Sequence, residues 1–275
     1  MFGRSFEIFR VFGFPIRVDP SWVPVAALVT WSLASSVFPA LAPGLSPPVY
    51  WGMGAIAALG LFASVIVHEL AHSLVARRHG ISIRGITLFF FGGVAEMACE
   101  PPSARSELLV AAAGPAASLA VGGAGWGMLM AATASGAPAP ASAVIGYLAL
   151  TNGVLALFNL VPAFPLDGGR VLRSLLWGWT GDLRRATRIS SGVGAAFGFL
   201  LVGLGLLRAL WAADLMGGLW WVLLGLFVRN AAAGAWQQLL LRQALEDEPV
   251  DSPAASRSSA SGGSLAVKLQ QKPAG

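Results

Sequence analysis

Phe62-Ala63-Ser64-Val65-Ile66-Val67-His68-Glu69-Leu70-Ala71-His72 is an apolar run that ends in two imidazoles and a carboxylate. On a helix, residues four apart share one face, so His68 and His72 point the same way. That geometry lets both bind one Zn²⁺, at about 2.0–2.1 Å from each nitrogen. Glu69 follows the first histidine directly and can reach a water at such an ion as general base. The motif alone is short and recurs by chance. Its setting sharpens it, because ionisable groups at membrane depth are costly and mark function. The competing reading is a pair of helix-end polar residues near lipid headgroups.

The composition supplies that setting. Of 275 residues, 56% are hydrophobic and only 11% charged, against about 25% charged in soluble domains. So much apolar surface calls for a bilayer as solvent. The net charge of +5 is carried mainly by arginine, with Lys268 and Lys272 the only lysines. The arginines lie between apolar runs, which fits topology setting and anionic headgroups and excludes nucleic acid as the expected partner. Cys99 is the single cysteine, so neither an intrachain disulfide nor a cysteine-rich zinc knuckle can form.

The expected fold is an all-α polytopic membrane protein of six transmembrane helices with a small membrane-associated β-hairpin. The spans fall near 21–38, 50–76, 106–132, 142–162, 188–210 and 215–233, each near the roughly 20 residues needed to cross. Residues 1–19 form a pre-membrane segment with no evident cleavable signal peptide and with strand character over Phe6 to Val18. Residues 20–233 form the membrane domain, 234–249 a cytoplasmic amphipathic helix and 250–275 a disordered Ser/Ala/Gly/Pro-rich tail. Linkers 39–49 and 133–141 are uncharged, whereas those holding Arg77, Arg78, Arg84 and Arg105, and Arg170, Arg173, Arg184, Arg185 and Arg188, are basic. This alternation puts both termini in the cytoplasm, with Arg208 and Asp214 the exception on the outer side.

Ile81 to Phe91 is β-branched and aromatic, Gly92-Gly93 breaks it, and Val94-Ala95-Glu96-Met97 follows. It is too short to span. A hairpin or sheet edge lying against the bundle is the expectation, with an interfacial helix as the alternative.

A catalytic zinc site needs a third protein ligand. His79 sits beside Arg77 and Arg78 and reads as a headgroup contact. Cys99 reads as a small buried thiol. Asp167 is the better candidate, within Asn159-Leu160-Val161-Pro162-Ala163-Phe164-Pro165-Leu166-Asp167-Gly168-Gly169-Arg170. Pro162 and Pro165 stop the fourth helix, and irregular backbone at this depth must be buried or line a wet cavity. A carboxylate on that turn lies level with the end of the helix carrying His68 and His72. Alternatively, Asp167 caps the next helix or pairs with Arg170.

Together the two motifs resemble those of the site-2 protease family of intramembrane zinc metalloproteases, in its bacterial six-span branch that includes the sporulation factor protease. The resemblance covers roughly residues 1–245. It implies that His68, His72 and Asp167 hold one zinc ion, that Glu69 is the catalytic base and that Asn159 holds the substrate or polarises its carbonyl. It further implies that Gly92 and Gly93 belong to a substrate-binding membrane hairpin and Gly114-Pro115-Ala116-Ala117-Ser118 to a small-residue motif of the third span. Transmembrane protein substrates and a bacterial cell membrane are implied likewise. Relatives of this branch often continue into a CBS pair, and others carry PDZ domains; here a polar tail follows Pro249, so no such regulation is inferred.

Three rival classes use the same residues differently. A zinc transporter or sensor would place polar groups on several spans or in paired repeats, and spans one, three, five and six hold almost none. A prenyl-protein-type membrane protease would want a downstream glutamate. A scaffold with inert motifs would bind no zinc. Trp220-Trp221 reads as an interfacial anchor or packing pair rather than a binding platform.

Overall fold

In the computed structural model, residues 5–89, 92–97, 99–211 and 214–246 are described. The expected tail over 250–275 lies outside them.

Two short strands open the chain, β1 (Phe6–Val11) and β2 (Phe14–Val18), joined by a turn in which Phe12 and Gly13 both take positive φ. The first membrane helix is α1 (Trp22–Ser32), continued by a π-helical turn (Leu33–Val37) into α2 (Phe38–Leu41). Then come α3 (Pro47–Arg78), β3 (Ile83–Phe89), β4 (Gly92–Met97), α4 (Ala104–Ala134) and α5 (Ala139–Asn159). The chain continues through α6 (Asp167–Thr180), α7 (Leu183–Trp211) and α8 (Leu215–Glu246).

Among the described residues, six helical stretches are long and apolar enough to cross a membrane: Trp22–Leu41, Pro47–Arg78, Ala104–Ala134, Ala139–Asn159, Leu183–Trp211 and Leu215–Leu241. The all-α, six-span architecture is therefore as the sequence implies. α8 runs unbroken past residue 234, where a separate amphipathic helix is expected to begin.

α6 was not anticipated. It follows the Pro162–Pro165 break and packs on α4 and α7. Its polar residues and two arginines hide it from a hydropathy reading; it buries Arg173 and Ser174 against the bundle and leaves Leu175 and Trp179 exposed.

Residues 83–97 form a hairpin, not an interfacial helix, and the hairpin is half of a larger sheet. The strand order is β1-β2-β3-β4. β2 and β3 pair in parallel, with Ile16 opposite Ile86, while both outer pairs are antiparallel. Phe14, Ile16 and Ile86 pack with Leu70 of α3, so the sheet is seated on the helix that carries the histidines. β4 is left at the edge.

Bare backbones bring α7 and α8 together. A Cβ on Gly198 or Gly205 would lie 2.7 Å from the carbonyl oxygen of Gly225 or Gly218. Small residues permit this approach where lipid offers no hydrophobic driving force.

Candidate metal centre

The site is built from the C-terminal part of α3, the first half of α4 and the first turn of α6. His68 and His72 are buried, and both rings turn from α3 toward α4. Val110, Gly114 and Ser118 on α4 are spaced by one helical turn and form the facing stripe. Ser118 Oγ lies 2.9 Å from His68 Nδ1, and the Val110 carbonyl oxygen 2.6 Å from His72 Nδ1. A carbonyl can only accept, so His72 Nδ1 carries the proton and Nε2 is free to present a lone pair. The hydroxyl of Ser118 can accept from His68 Nδ1, which would give His68 the same tautomer. Such outer hydrogen bonds fix the orientation of a metal-binding imidazole and raise its basicity.

Gly114 makes room for the rings. A Cβ there would overlap His72 Nε2 and come within 2.6 Å of His68 Nε2. No side chain of any size fits beneath this pair.

Asp167 reaches the same point from the opposite wall. α5 ends at Asn159, and the chain crosses Pro162-Ala163-Phe164-Pro165, whose Phe164–Pro165 peptide bond is cis. Asp167 is then the first residue of α6. Gly168 and Gly169 let that first turn press onto the preceding loop. A Cβ on Gly168 would collide with the carbonyl oxygens of Leu160 and Val161, and one on Gly169 with Ala163 and Phe164 backbone. The two glycines thus set how deeply the Asp167 carboxylate projects.

The outcome is a nearly equilateral triangle. Asp167 Oδ2 lies 3.1 Å from His68 Nε2 and 3.1 Å from His72 Nε2, and the two nitrogens are 3.2 Å apart. Two ligand atoms of a tetrahedral zinc, each about 2.0–2.1 Å from the ion, are about 3.3 Å apart. The donor set, two imidazole nitrogens and a carboxylate oxygen, therefore fits one zinc ion with a fourth position open. Among the described residues, His68, His72 and Asp167 are the group of histidine, cysteine or acidic side chains able to share an ion. Burial would push the Asp167 carboxyl up, but hydrogen bonds and charge from His68 and His72 outweigh it and hold it below the usual aspartate range.

Glu69 points to a different side of α3, one residue on. There it meets β4. A Cβ on Gly93 would lie 2.8 Å from Glu69 Cγ and 3.1 Å from Val65 Cγ1, so the edge strand passes over the glutamate. Gly92 takes a φ of +131°, which glycine alone adopts readily, and has open space where a side chain would be.

The remaining residues fall elsewhere. Asn159 donates its amide to the Leu155 carbonyl in its own helix, at 3.0 Å, and is not drawn into the triangle. His79 Nδ1 bonds the Val75 carbonyl at the end of α3. Cys99 is exposed, not buried, because it lies on the connector beyond β4 rather than inside the sheet. Sequence reasoning missed the roles of Val110, Gly114 and Ser118 toward the rings, reading the small-residue motif as helix packing alone. It also missed a buried ion pair between Glu107 of α4 and Arg173 of α6. A lone glutamate at the head of an apolar helix was the available signal.

Comparisons with known proteins agree with this geometry. The family described as Peptidase family M50 matches residues 56–135 and 124–201. A protein of Synechocystis, named a candidate zinc metalloprotease, is 41% identical over 243 residues, covering 88% of this chain and 62% of its own length. A zinc metalloprotease of Methanocaldococcus jannaschii is 32% identical over 203 residues, 74% of this chain and 54% of its own. The chain thus spans little more than half the length of these curated relatives. The solved site-2 protease from Methanocaldococcus jannaschii superposes with a TM-score of 0.57 at 29% identity, covering 85% of this chain and 95% of that one.

Proposed function

Since the chain belongs to peptidase family M50, we propose that it is an intramembrane zinc metalloendopeptidase, with His68, His72 and Asp167 as zinc ligands and Glu69 as general base. The observation that carries this reading is the triangle of two imidazole nitrogens and one carboxylate oxygen at 3.1–3.2 Å, closed from two separate helices in a buried site. The zinc metalloprotease names of its relatives support the same metal and reaction.

Zinc bound there supplies Lewis acidity, polarising a scissile carbonyl and easing deprotonation of water. The chain's own residues do the rest. Ser118 and the Val110 carbonyl hold the ring tautomers that present Nε2 to the ion. Glu69 takes a proton from the attacking water and returns it to the leaving amine. The apolar setting strengthens each of these electrostatic interactions.

The substrate is a transmembrane or membrane-adjacent segment of another protein, in the manner of regulated intramembrane proteolysis. A helical amide is shielded by its own turn, so the substrate must unwind before attack. The open edge of β4, which passes over Glu69, supports capture of the unwound segment as an added strand. Gly92 and Gly93 keep side chains out of that path, and Asn159 helps hold the extended segment from the end of α5. The basic linkers support an orientation with both termini in the cytoplasm of a bacterial membrane.

The test is cleavage by purified protein reconstituted in lipid. A candidate membrane substrate is cut, and cutting stops with a zinc chelator and returns on zinc addition. Turnover that persists in Glu69→Gln removes that glutamate from its role.

A further inference from the structure

The most unusual group outside the metal triangle is a buried ion pair. Glu107 is fully buried on α4, and Arg173 is 7% exposed on α6. Arg173 Nε donates to Glu107 Oε1 at 2.6 Å, and its Nη2 contacts the same oxygen. Nη2 also donates to Glu100 on the β4–α4 connector, at 3.2 Å. Its guanidinium stacks on Phe164, 5.4 Å from the ring centre. One side chain therefore ties α4, the exit of the edge strand and the loop that delivers Asp167.

As a source of stability this pair is poor. Burying two charges costs several kcal/mol per ion, regained only when the remaining lone pairs are satisfied. Glu107 Oε2 has no hydrogen-bond partner among the described residues. An apolar pair of similar volume often holds two helices as well, and Arg170 is the other cation near Glu107. What it provides instead is geometry. Glu107 lies one turn before Val110, whose carbonyl fixes the His72 ring. Phe164 lies on the loop against which Gly169 seats the first turn of α6.

We propose that Arg173 is a positioning residue of the metal centre. With Glu107 as its buried counter-charge it sets α6 against α4, and so sets the Asp167 carboxylate relative to the imidazole pair. This rests on the zinc reading above and deepens it.

The experiment compares the full-length protein in detergent with the double variant Glu107→Leu/Arg173→Met, which removes both charges together. Thermal stability, zinc dissociation constant and the visible absorption of the cobalt(II)-substituted protein are measured. The expected result is stability near wild type, with zinc bound about ten-fold more weakly, the low end of the range for direct outer partners of a ligand because Arg173 acts at one remove, and shifted cobalt bands. Wild-type affinity with unchanged cobalt bands would overturn the proposal and leave the pair as a mere packing contact. Should the double variant fail to fold, Arg173→Lys decides. It keeps a charge beside Glu107 but loses the planar fork and the stacking. Weakened zinc with retained stability supports the positioning role; unchanged affinity overturns it. Absence of zinc binding in the wild-type protein itself would remove the zinc reading first.

Discussion

Gly114 lies directly under the imidazole of His72, close enough that a single methyl group at its Cα would overlap the ring's Nε2. The histidine-bearing helix and its neighbour are thus packed through the ring nitrogen proposed to hold zinc. Gly114→Ala should push both rings off Asp167 and cut zinc occupancy of the purified protein severely. Metal analysis beside circular dichroism checks this, and full occupancy in a folded variant would show that the rings can shift without loss.

Ser118 tests the outer hydrogen bond alone. Ser118→Ala keeps the helix and nearly its volume but removes the hydrogen-bond partner of His68 Nδ1, which lies 2.9 Å away. Zinc affinity should fall about ten- to a hundred-fold, read by competition with a chelating dye. Equal affinities would mean that the ring needs no such support.

Gly93 separates catalysis from metal binding. A side chain there meets Glu69 Cγ and Val65 Cγ1. Gly93→Val should lift the edge strand or turn Glu69 away, lowering kcat while zinc stoichiometry stays at one. A loss of zinc together with activity would place the strand's influence on the ligands rather than on the base.

Gly168→Ala probes the α6 entry. Its added methyl group collides with the carbonyl oxygens of Leu160 and Val161, and neither backbone group can yield cheaply. The turn should move outward, carrying Asp167 with it, so that zinc is lost while α3 and α4 remain intact. A zinc titration reads this directly, and unaltered binding would contradict the seating described for that turn.

The sequence disclosed the architecture well where a bilayer writes it in hydropathy: six spans, and the histidine pair toward the C-terminal end of the second. It also disclosed Asp167, because proline breaks and paired glycines at membrane depth need a reason. α6 is not legible because Arg170 and Arg173 within it read as a basic linker between apolar spans. Strand character over Phe6 to Val18 is legible, but its split into β1 and β2 and the pairing of β2 with β3 are not, since a parallel partner some 70 residues away leaves no local pattern. Gly114 and Ser118 were visible as small residues, yet their purpose is set by His68 and His72 on another helix. Asn159 carries no local signal of its own: resemblance alone points to it, and its amide donates to the Leu155 carbonyl.

Asp167→Ala complements these variants by leaving the imidazole pair in place. Zinc content should drop well below one per chain, and unaltered stoichiometry would argue that the fourth-helix loop contributes no ligand.

X-ray absorption at the zinc edge of the loaded, purified protein probes the metal centre most directly. A first shell of light atoms only, two imidazole nitrogens plus oxygen at about 2.0–2.1 Å, losing an oxygen in Asp167→Ala, is the predicted result. A sulfur scatterer from Cys99, a third imidazole from His79, or a shell indifferent to Asp167 would contradict it.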